Sequence, residues 1–414
     1  MIDYAISKRI FIIPYFISKR AAMKKLLVIL IFFFFPFFFV SSVSANPGFA
    51  RKFGLSCAIC HTGFPSLNPF GETFRDNGFQ FPGQDVGDKA VKTGDEKLFL
   101  EPSLNFAARV DGTVSFRTDT NTHSDFGFPS LLKLFVFGYL KKDITFYSYY
   151  LANDDGKVAG LEDAYLYFNN VGHHPLDLML GQFQVTDFVY SRETRLTHQD
   201  ITIYKTAVSG NFDLTYHRGG AIMFSPEWYE IDLGLVNGNG IGPANAEGNF
   251  DHSSFKDPFL RVNFKKDPFS LGLYGIYGED QDNDTKFKNR FYRAGPDFRV
   301  SHLGLPVDVK AQWLFGEDQN PDFLSHPGDS LRMNGGFVEA VYQAGPEWFA
   351  VFMYNRVQVT RKPDRNANTM TINVTHTFLR NFKTYLEYTT DLEDKGVSHP
   401  EKTDNAQIAF VLAF

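Results

Sequence analysis

A period-two alternation of apolar and polar residues runs from residue 99 to the C-terminus, in segments of about ten residues. In the last segment Ile408, Phe410, Leu412 and Phe414 all share one parity. Such alternation is typical of strands that turn one face to lipid. Outside the leader no run of 18 or more apolar residues occurs, which excludes a membrane-spanning helix. The pattern therefore predicts an all-β fold, an antiparallel outer-membrane β-barrel.

About sixteen strands are predicted, an even number, as single-chain bacterial barrels require. They lie near 99–117, 131–141, 144–153, 161–169, 176–183, 218–224, 228–237, 256–265, 269–278, 287–299, 305–316, 332–343, 347–357, 369–379, 383–392 and 404–414. Short connections (142–143, 265–268, 344–346 and 380–381) alternate with long ones (118–130, 238–255, 317–331 and 393–403). Because short turns of such barrels face the periplasm, both barrel ends are predicted on that side.

Composition agrees with a barrel. Aromatic residues make up 16% of the 414 residues, with 46 Phe and 19 Tyr, yet mean hydropathy is −0.21. Tyr and other aromatics form the interfacial girdles of outer-membrane barrels. The formal net charge of −6 gives no support to a nucleic-acid partner. Outer-membrane lipid is the partner that this composition predicts.

The first 45 residues are predicted to be removed. Residues 1–22 are interpreted as upstream sequence, with the true start at Met23. Two lysines, an apolar run over 26–40 and the small-residue site 43–45 then have the form of a signal peptide. This leader, residues 1–45, predicts export through the Sec pathway.

A second motif follows the leader. Cys57-Ala58-Ile59-Cys60-His61 has the C-x-x-C-H spacing of a c-type haem attachment site. Two thiols on one tight turn can add to the two vinyl groups of one porphyrin, and His61 is then placed as the proximal iron ligand. A bare redox dithiol is the alternative, but these are the only two cysteines in the chain. The motif predicts one covalent haem c.

Residues 46–97 are therefore predicted to form a small, mostly α or irregular monohaem cytochrome c domain, and residues 98–414 the barrel. About fifty residues bury little core unaided, so the porphyrin is expected to supply apolar bulk. A short helix is predicted over 72–78, and a linker over 82–97. The side chains expected to pack on the porphyrin are Phe64, Leu67, Phe70, Phe74 and Phe79.

The longest connection, about 184–217, is predicted to fold into the lumen, and an ordinary external loop is the alternative. Its charged and polar set suits a constriction: Asp187, Tyr190, Arg192, Glu193, Arg195, His198 and Asp200. Four acidic residues in a later loop, Glu279, Asp280, Asp282 and Asp284, either gather cations or form a solvated loop, the second being preferred.

The segment from Ala45 to Gly78 resembles a known family. It reads Ala45-x-Pro47-x-Phe49-Ala50-Arg51, then Cys57-x-x-Cys60-His61, Phe64-Pro65-x-Leu67, Phe70-Gly71 and Gly78. This is similar to the fused monohaem cytochrome c–porin family, which includes outer-membrane iron oxidases. Two positions depart from the family pattern: Glu72 replaces a basic residue and Phe79 a tyrosine.

The resemblance implies electron transfer across the outer membrane, from extracellular Fe(II) or another donor to a periplasmic cytochrome or other carrier. Enzymatic activity is left open, an Fe(II)-oxidising cytochrome being the compatible class. Alternatives are a transport porin with a structural or regulatory haem plug, where Arg192 and Arg195 select anions, and outward electron transfer to an extracellular acceptor. The distal haem ligand is unknown: it is a side chain from the barrel, an amine or amide from residues 46–97, or the position is open. The barrel histidines that could supply it are His123, His173, His174, His198, His217, His252, His302, His326, His376 and His399.

Overall fold

Sixteen antiparallel strands close on themselves in the computed structural model of the chain, which describes residues 48–81, 90–102, 105–118, 124–208, 212–301, 304–328, 330–392 and 404–414. The N-terminal elements are α1 (Gly48–Phe53), β1 (His61–Gly63), β2 (Ser66–Leu67) and α2 (Pro69–Asp76). The barrel strands are β3 (Asn105–Arg117), β4 (Ser124–Lys141), β5 (Ile144–Asp154), β6 (Gly160–Phe168), β7 (Leu176–Gln184), β8 (Tyr216–Phe224), β9 (Tyr229–Val236), β10 (Asp257–Lys266), β11 (Phe269–Gln281), β12 (Lys288–Ser301), β13 (Val307–Asp318), β14 (Leu331–Gln343), β15 (Trp348–Val359), β16 (Ala367–Leu379), β17 (Phe382–Asp391) and β18 (Asp404–Ala413). The predicted strand number is confirmed.

The barrel is closed by the two terminal strands. β18 pairs with β3 in antiparallel register, with Ala409 opposite Thr113. The terminal Phe414 belongs to this seam: its N–H donates to the Ala108 carbonyl at 2.9 Å, and its carbonyl accepts from the Ala108 N–H at 2.7 Å. Closure leaves no unpaired edge, as a barrel in lipid requires.

The two faces of the strands differ as the alternation predicted. On β9, Leu233 and Leu235 are 52% and 55% exposed on the outside, while Asp232, which precedes Leu233, is fully buried in the lumen. On β11, Leu271 and Leu273 are likewise exposed outward. An apolar outer surface and a partly polar interior are typical of outer-membrane barrels.

Two predicted boundaries were wrong. The first strand starts at Asn105 and not at 99, because the preceding residues turn toward the N-terminal segment, where Glu101 binds Lys52 at 2.7 Å. The second strand starts at Ser124, so most of the predicted loop 118–130 is strand. Gly127 and Pro129 are turn-forming residue types, but here they lie at an irregular register opposite residues 111–113.

Connections at one end of the barrel are short and those at the other end are longer. The short connections lie between residues 141 and 144, 266 and 269, 343 and 348, and 379 and 382. The long connections lie between residues 184 and 216, 236 and 257, 318 and 331, and 391 and 404. β3 starts and β18 finishes at the short-turn end. The helices among the described residues are all too short or too polar to span a membrane.

The N-terminal segment, residues 48–81, contains two short helices, a turn at Cys57–Ile59 and the β1–β2 hairpin. The predicted helix begins at Pro69 rather than at 72, because Asn68 caps it by accepting the Gly71 N–H at 2.8 Å and proline suits the first helical position. The predicted leader 1–45 lies outside the described residues, as does the linker over 82–89; the rest of the linker, 90–97, contains no helix or strand.

Candidate functional site

The C-x-x-C-H motif forms one tight turn. The Cys60 N–H donates to the Cys57 carbonyl at 3.2 Å, and the Ile59 N–H donates to the Ser56 carbonyl at 3.0 Å. Both thiols are free, and burial raises the pKa of each. Cys57, Cys60 and His61 all line the same cavity. Local hydrogen bonding therefore gathers the three motif side chains at one wall of a pocket.

His61 is held in a single tautomer. Its Nδ1 lies 3.1 Å from the Pro65 carbonyl oxygen. Because a carbonyl can only accept, Nδ1 carries the proton and Nε2 keeps its lone pair. Burial lowers the pKa of His61, which also favours the neutral ring. A neutral imidazole oriented through its other nitrogen is the form in which histidine binds a metal.

The turn is braced by the start of α2. The Asn68 side-chain amide donates to the Ile59 carbonyl at 2.9 Å, while its oxygen caps the helix. Gly71 lies so close to the turn that a Cβ atom there would be 2.0 Å from the Cys60 carbonyl oxygen. Only glycine allows this approach. Neither residue was singled out as a brace from the sequence, although Asn68-Pro69 is a recognisable helix start.

The cavity beside the motif has a volume of about 720 Å³, within the ~300–1,000 Å³ range of cofactor pockets. Its walls come from the N-terminal segment, the barrel strands and the loop after β7, and many are aromatic: Phe49, Phe53, Phe64, Phe74, Phe79, Phe81, Phe137, Tyr147, Tyr165, Phe188 and Tyr190. The two thiols, the free imidazole nitrogen and these rings fit a covalently attached haem.

The predicted packing set is partly recovered. Phe64, Leu67, Phe74 and Phe79 line the cavity. Phe70 does not: its ring is 45% exposed and lies 6.0 Å from Phe81. Sequence reasoning missed the rings from α1, since Phe49 stacks on Phe79 at 4.8 Å.

Barrel side chains bind the end of α2. The carbonyls of four successive residues, Asp76 to Phe79, each accept a hydrogen bond from the barrel. The donors are the Tyr167 hydroxyl at 2.6 Å, the Asn169 amide at 2.7 Å, the Thr145 hydroxyl at 2.6 Å and the Tyr139 hydroxyl at 2.5 Å. Carbonyls at a helix C-terminus lack partners within the helix. Here the barrel wall supplies those hydrogen-bond partners at the short-turn end of β4–β6. These contacts place the N-terminal segment inside the lumen.

An ion pair fastens the other side of α2. Glu72 binds Arg299 of β12, which also binds Asp308 at 2.7 Å. The position where Glu72 replaces a basic residue of the similar family is thus matched by a basic residue of this barrel.

The long connection after β7 folds into the lumen, which confirms that prediction. We call residues 185–215 the inward loop; residues 209–211 lie outside the described part. Its buried side chains Ile201, Ile203, Tyr204, Phe212 and Leu214 join one apolar cluster with the wall. The Tyr204 hydroxyl donates to Gln312 Oε1 at 2.5 Å, and the His198 N–H donates to Glu387 at 2.7 Å.

Charges of the inward loop are largely paired. Glu193 binds Lys133 of β4, and Arg192 binds Asp200. Burial raises the pKa of Glu193, but the cations Lys133, Arg195 and Arg192 more than offset this and lower it to about 2. Arg192 is buried in its pair, so it is not presented to a solute as the anion-selective alternative predicted.

None of the described barrel histidines lines the cavity. His173, His174 and His198 are exposed, and His217 is buried against the Asp213 carbonyl at 2.8 Å as part of β8 rather than of the loop. His123, His302 and His399 lie outside the described residues. Barrel methionines were not named as candidate ligands from the sequence, yet Met179 and Met223 line the cavity.

The acidic residues predicted to lie in a loop do not form a cation cage, and Glu279 and Asp280 belong to β11 instead. Glu279 is paired with Lys288 at 2.6 Å, and Asp282 accepts the Thr285 N–H at 2.8 Å. Across the described ranges, no group of three or more His, Cys, Asp or Glu side chains is arranged to hold a metal ion.

Comparison with known proteins places the fold. No protein-family model and no curated protein matches the sequence. Among solved structures, an anion-selective porin from Comamonas acidovorans superposes with a TM-score of 0.54 at 13% identity, covering 75% of this chain and 99% of the porin.

Two further channels match as well: OmpF of Salmonella typhi in complex with daunomycin (TM-score 0.54, 12% identity, covering 75% of this chain and 97% of that chain) and the outer membrane channel DcaP of Acinetobacter baumannii (TM-score 0.54, 11% identity, covering 75% and 97%). The chain thus shares the fold of outer-membrane porins.

Proposed function

We propose that the chain is an outer-membrane cytochrome–porin, which transfers electrons across the outer membrane through one c-type haem. The observation that carries this proposal is the haem-attachment turn beside an aromatic cavity within the lumen. Cys57 and Cys60 would form the thioethers, and His61 Nε2 would bind the iron. A haem held there would supply a one-electron Fe(III)/Fe(II) couple.

The surroundings of the cavity support electron transfer over free diffusion. The N-terminal segment occupies the short-turn end of the lumen, which faces the periplasm in outer-membrane barrels. The inward loop enters the lumen from the long-loop end and packs against the wall through an apolar cluster. Because the apolar band of such a barrel is ~25 Å tall, a redox group between the two segments shortens the distance between an external donor and a periplasmic carrier. Extracellular Fe(II) is the donor implied by the family resemblance.

The first test is covalent haem attachment. The full chain, expressed with a haem-attachment system, should carry haem that survives denaturing electrophoresis. The Cys57→Ser/Cys60→Ser variant should lose it completely, while Ser56→Ala, a neighbouring change that keeps both thiols, should retain it. Absence of haem from the unsubstituted chain would overturn the proposal.

The direction of electron flow is tested by a redox titration in detergent, followed by anaerobic mixing of the oxidised protein with Fe(II). Rapid reduction is expected for an Fe(II) oxidase. A strongly negative potential with no reduction by Fe(II) would instead leave two functions, outward electron transfer to an extracellular acceptor or a porin with a haem plug.

A transport porin with a haem plug is the second candidate, and the structural comparisons favour it, because all the neighbours named above are porins or channels and one is anion-selective. Solute flux through proteoliposomes separates the two functions. If the protein is an electron conduit, the flux of small ions should be low. It should rise when mutation of the wall contacts displaces the N-terminal segment from the lumen. Substantial flux through the haem-loaded chain, with selectivity for anions, would favour transport.

A further inference from the structure

Two carboxylates in the cavity wall have oxygens without a partner. Asp163 on β6 is 5% exposed, and its Oδ1 makes no hydrogen bond. Asp187, near the start of the inward loop, also has an unbonded buried Oδ1. Both side chains line the cavity with Cys60 and His61. Buried polar atoms are nearly always hydrogen-bonded, so two unpartnered carboxylate oxygens at one cavity call for an explanation.

The neighbouring cations bind other groups. Lys133 of β4 binds Glu193, Arg192 of the loop binds Asp200, and Arg75 of α2 binds Asp76. The titratable and charged groups that act on the two carboxylates, from every element around them, are Lys133, Tyr147, Glu162, Tyr165, Arg75, Arg192 and Glu193. The pair therefore faces both signs of charge, but no cation hydrogen-bonds to it.

Two carboxylates that share a buried site do not readily ionise together, because each charge raises the cost of the other. We propose that Asp163 and Asp187 form a proton-binding pair, which takes up one proton from water when one electron enters the cavity from the external donor. The electron would convert Fe(III) of the bound haem to Fe(II), which removes one positive charge, and the proton would convert one carboxylate into a carboxylic acid, so the charge of the cavity would stay unchanged. This inference rests on the proposed haem.

The environment of Asp187 is consistent with such a role. Burial raises the pKa of this loop carboxyl to about 6, despite the opposing effects of Ser191 and Arg75. An added electron nearby raises it further, since negative charge disfavours the ionised form. Proton uptake on reduction is therefore expected above about pH 6.

The test is the pH dependence of the midpoint potential, measured on the haem-loaded full chain in detergent. Uptake of one proton per electron lowers the potential by about 59 mV for each pH unit, the tenfold factor for one electron. The Asp163→Asn/Asp187→Asn variant keeps the side-chain shapes and should have a potential independent of pH. Glu247→Gln, an exposed change in the β9–β10 connection, should keep the wild-type slope.

Infrared difference spectra between reduced and oxidised protein provide a second readout. A protonated carboxyl C=O band should appear on reduction and be absent from the double variant. If that variant does not fold, Asp187→Asn alone should diminish both signals. A haem-loaded chain with no pH-dependent potential, or an undiminished slope in the variants, would overturn the inference. Absence of haem would overturn the proposed function instead.

Discussion

The N-terminal segment and the inward loop both occupy the lumen, but different forces hold them there. The inward loop contributes Ile201, Ile203, Tyr204 and other buried side chains to an apolar cluster shared with the wall. The N-terminal segment is fastened chiefly at the end of α2, by hydrogen bonds to four carbonyls and by the Glu72–Arg299 pair. Its aromatic side chains pack on one another, as Phe74 does on Phe49 and Phe53, and all but Phe70 line the cavity.

This difference indicates that the loop is part of the barrel core, whereas the N-terminal segment lines a cavity. Apolar burial contributes about 25 cal/mol per Å² and needs no ligand. An aromatic cavity of about 720 Å³ lacks these contacts until it is filled. We therefore expect the loop to stay docked in the apo protein and the N-terminal segment to be stabilised by haem. The predictions below test the two docked segments separately.

The largest effect is expected from Glu193→Gln in the inward loop. This change leaves Lys133, which is almost fully buried, without its anionic partner. Breaking a buried ion pair costs about 3–5 kcal/mol of folding free energy. Because the Glu193 side chain is a quarter exposed, we expect the lower value, about 3 kcal/mol. Hydrogen exchange of the inward loop should accelerate while that of α2 is little changed. Equal acceleration of both would contradict independent docking. Glu247→Gln is the matched control.

Acid should also weaken the docking of the inward loop, because protonation of Glu193 removes the charge that pairs with Lys133. The folded-state pKa of Glu193 is lowered to about 2, so its stabilisation is present above its ordinary pKa near ~4.3 and is lost as pH falls toward 2. At pH 3 the loss should be about 2 kcal/mol. Protection of the loop against exchange, corrected for the intrinsic rate, measures it. The Glu193→Gln variant should lack this contribution; an identical acid response in both proteins would exclude Glu193 as the cause.

In the N-terminal segment, Gly71→Ala should cost about 1–2 kcal/mol, the overpacking range. The new Cβ would lie 2.0 Å from the Cys60 carbonyl oxygen, so the turn that carries both thiols must move. Covalent haem content should fall, as measured by haem absorbance per protein. Thr73→Ala, an exposed change in the same helix, is the control. Unchanged haem loading would show that the turn tolerates the displacement.

The smallest effect is expected from Tyr167→Phe, about 1 kcal/mol for one lost hydrogen bond. The ring stays in place, but the Asp76 carbonyl loses the hydroxyl that it accepts from at 2.6 Å. Protease sensitivity of the N-terminal segment should rise slightly in the apo protein and less in the haem-loaded one. Tyr165→Phe, on the same strand and without such a contact to α2, serves as control. Destabilisation of the inward loop instead would contradict the separation.

Most of the barrel was predictable from the sequence. Whether a segment forms a strand, and which face of the sheet each side chain lies on, depend on a local period of two. Leu233 and Asp232 could therefore be assigned to opposite faces without tertiary information. The starts of β3 and β4 were missed because contacts with distant residues decide them. Glu101 forms an ion pair with Lys52, and Pro129 lies where the pairing register with β3 is irregular.

The motif of two thiols and a histidine is likewise local, since its five residues are consecutive and near neighbours close its turn by hydrogen bonds. The barrel residues that complete the cavity around it were not predictable. Tyr167 lies 91 residues from Asp76, and Arg299 lies 227 residues from Glu72. No short-range pattern relates such positions.

By itself, then, the sequence determined the sixteen-strand barrel and the turn of the C-x-x-C-H motif, because alternation and spacing act between near neighbours. The inward course of the long loop was also predicted, but it depends on contacts between distant residues, such as that of Tyr204 with Gln312. Only the tertiary structure decided that barrel side chains bind the end of α2, that Lys133 is neutralised by Glu193, and that Asp163 and Asp187 meet at one cavity. The physical reason is that closing the barrel brings together residues from different strands, and their partners depend on register and radius rather than on adjacency in the chain.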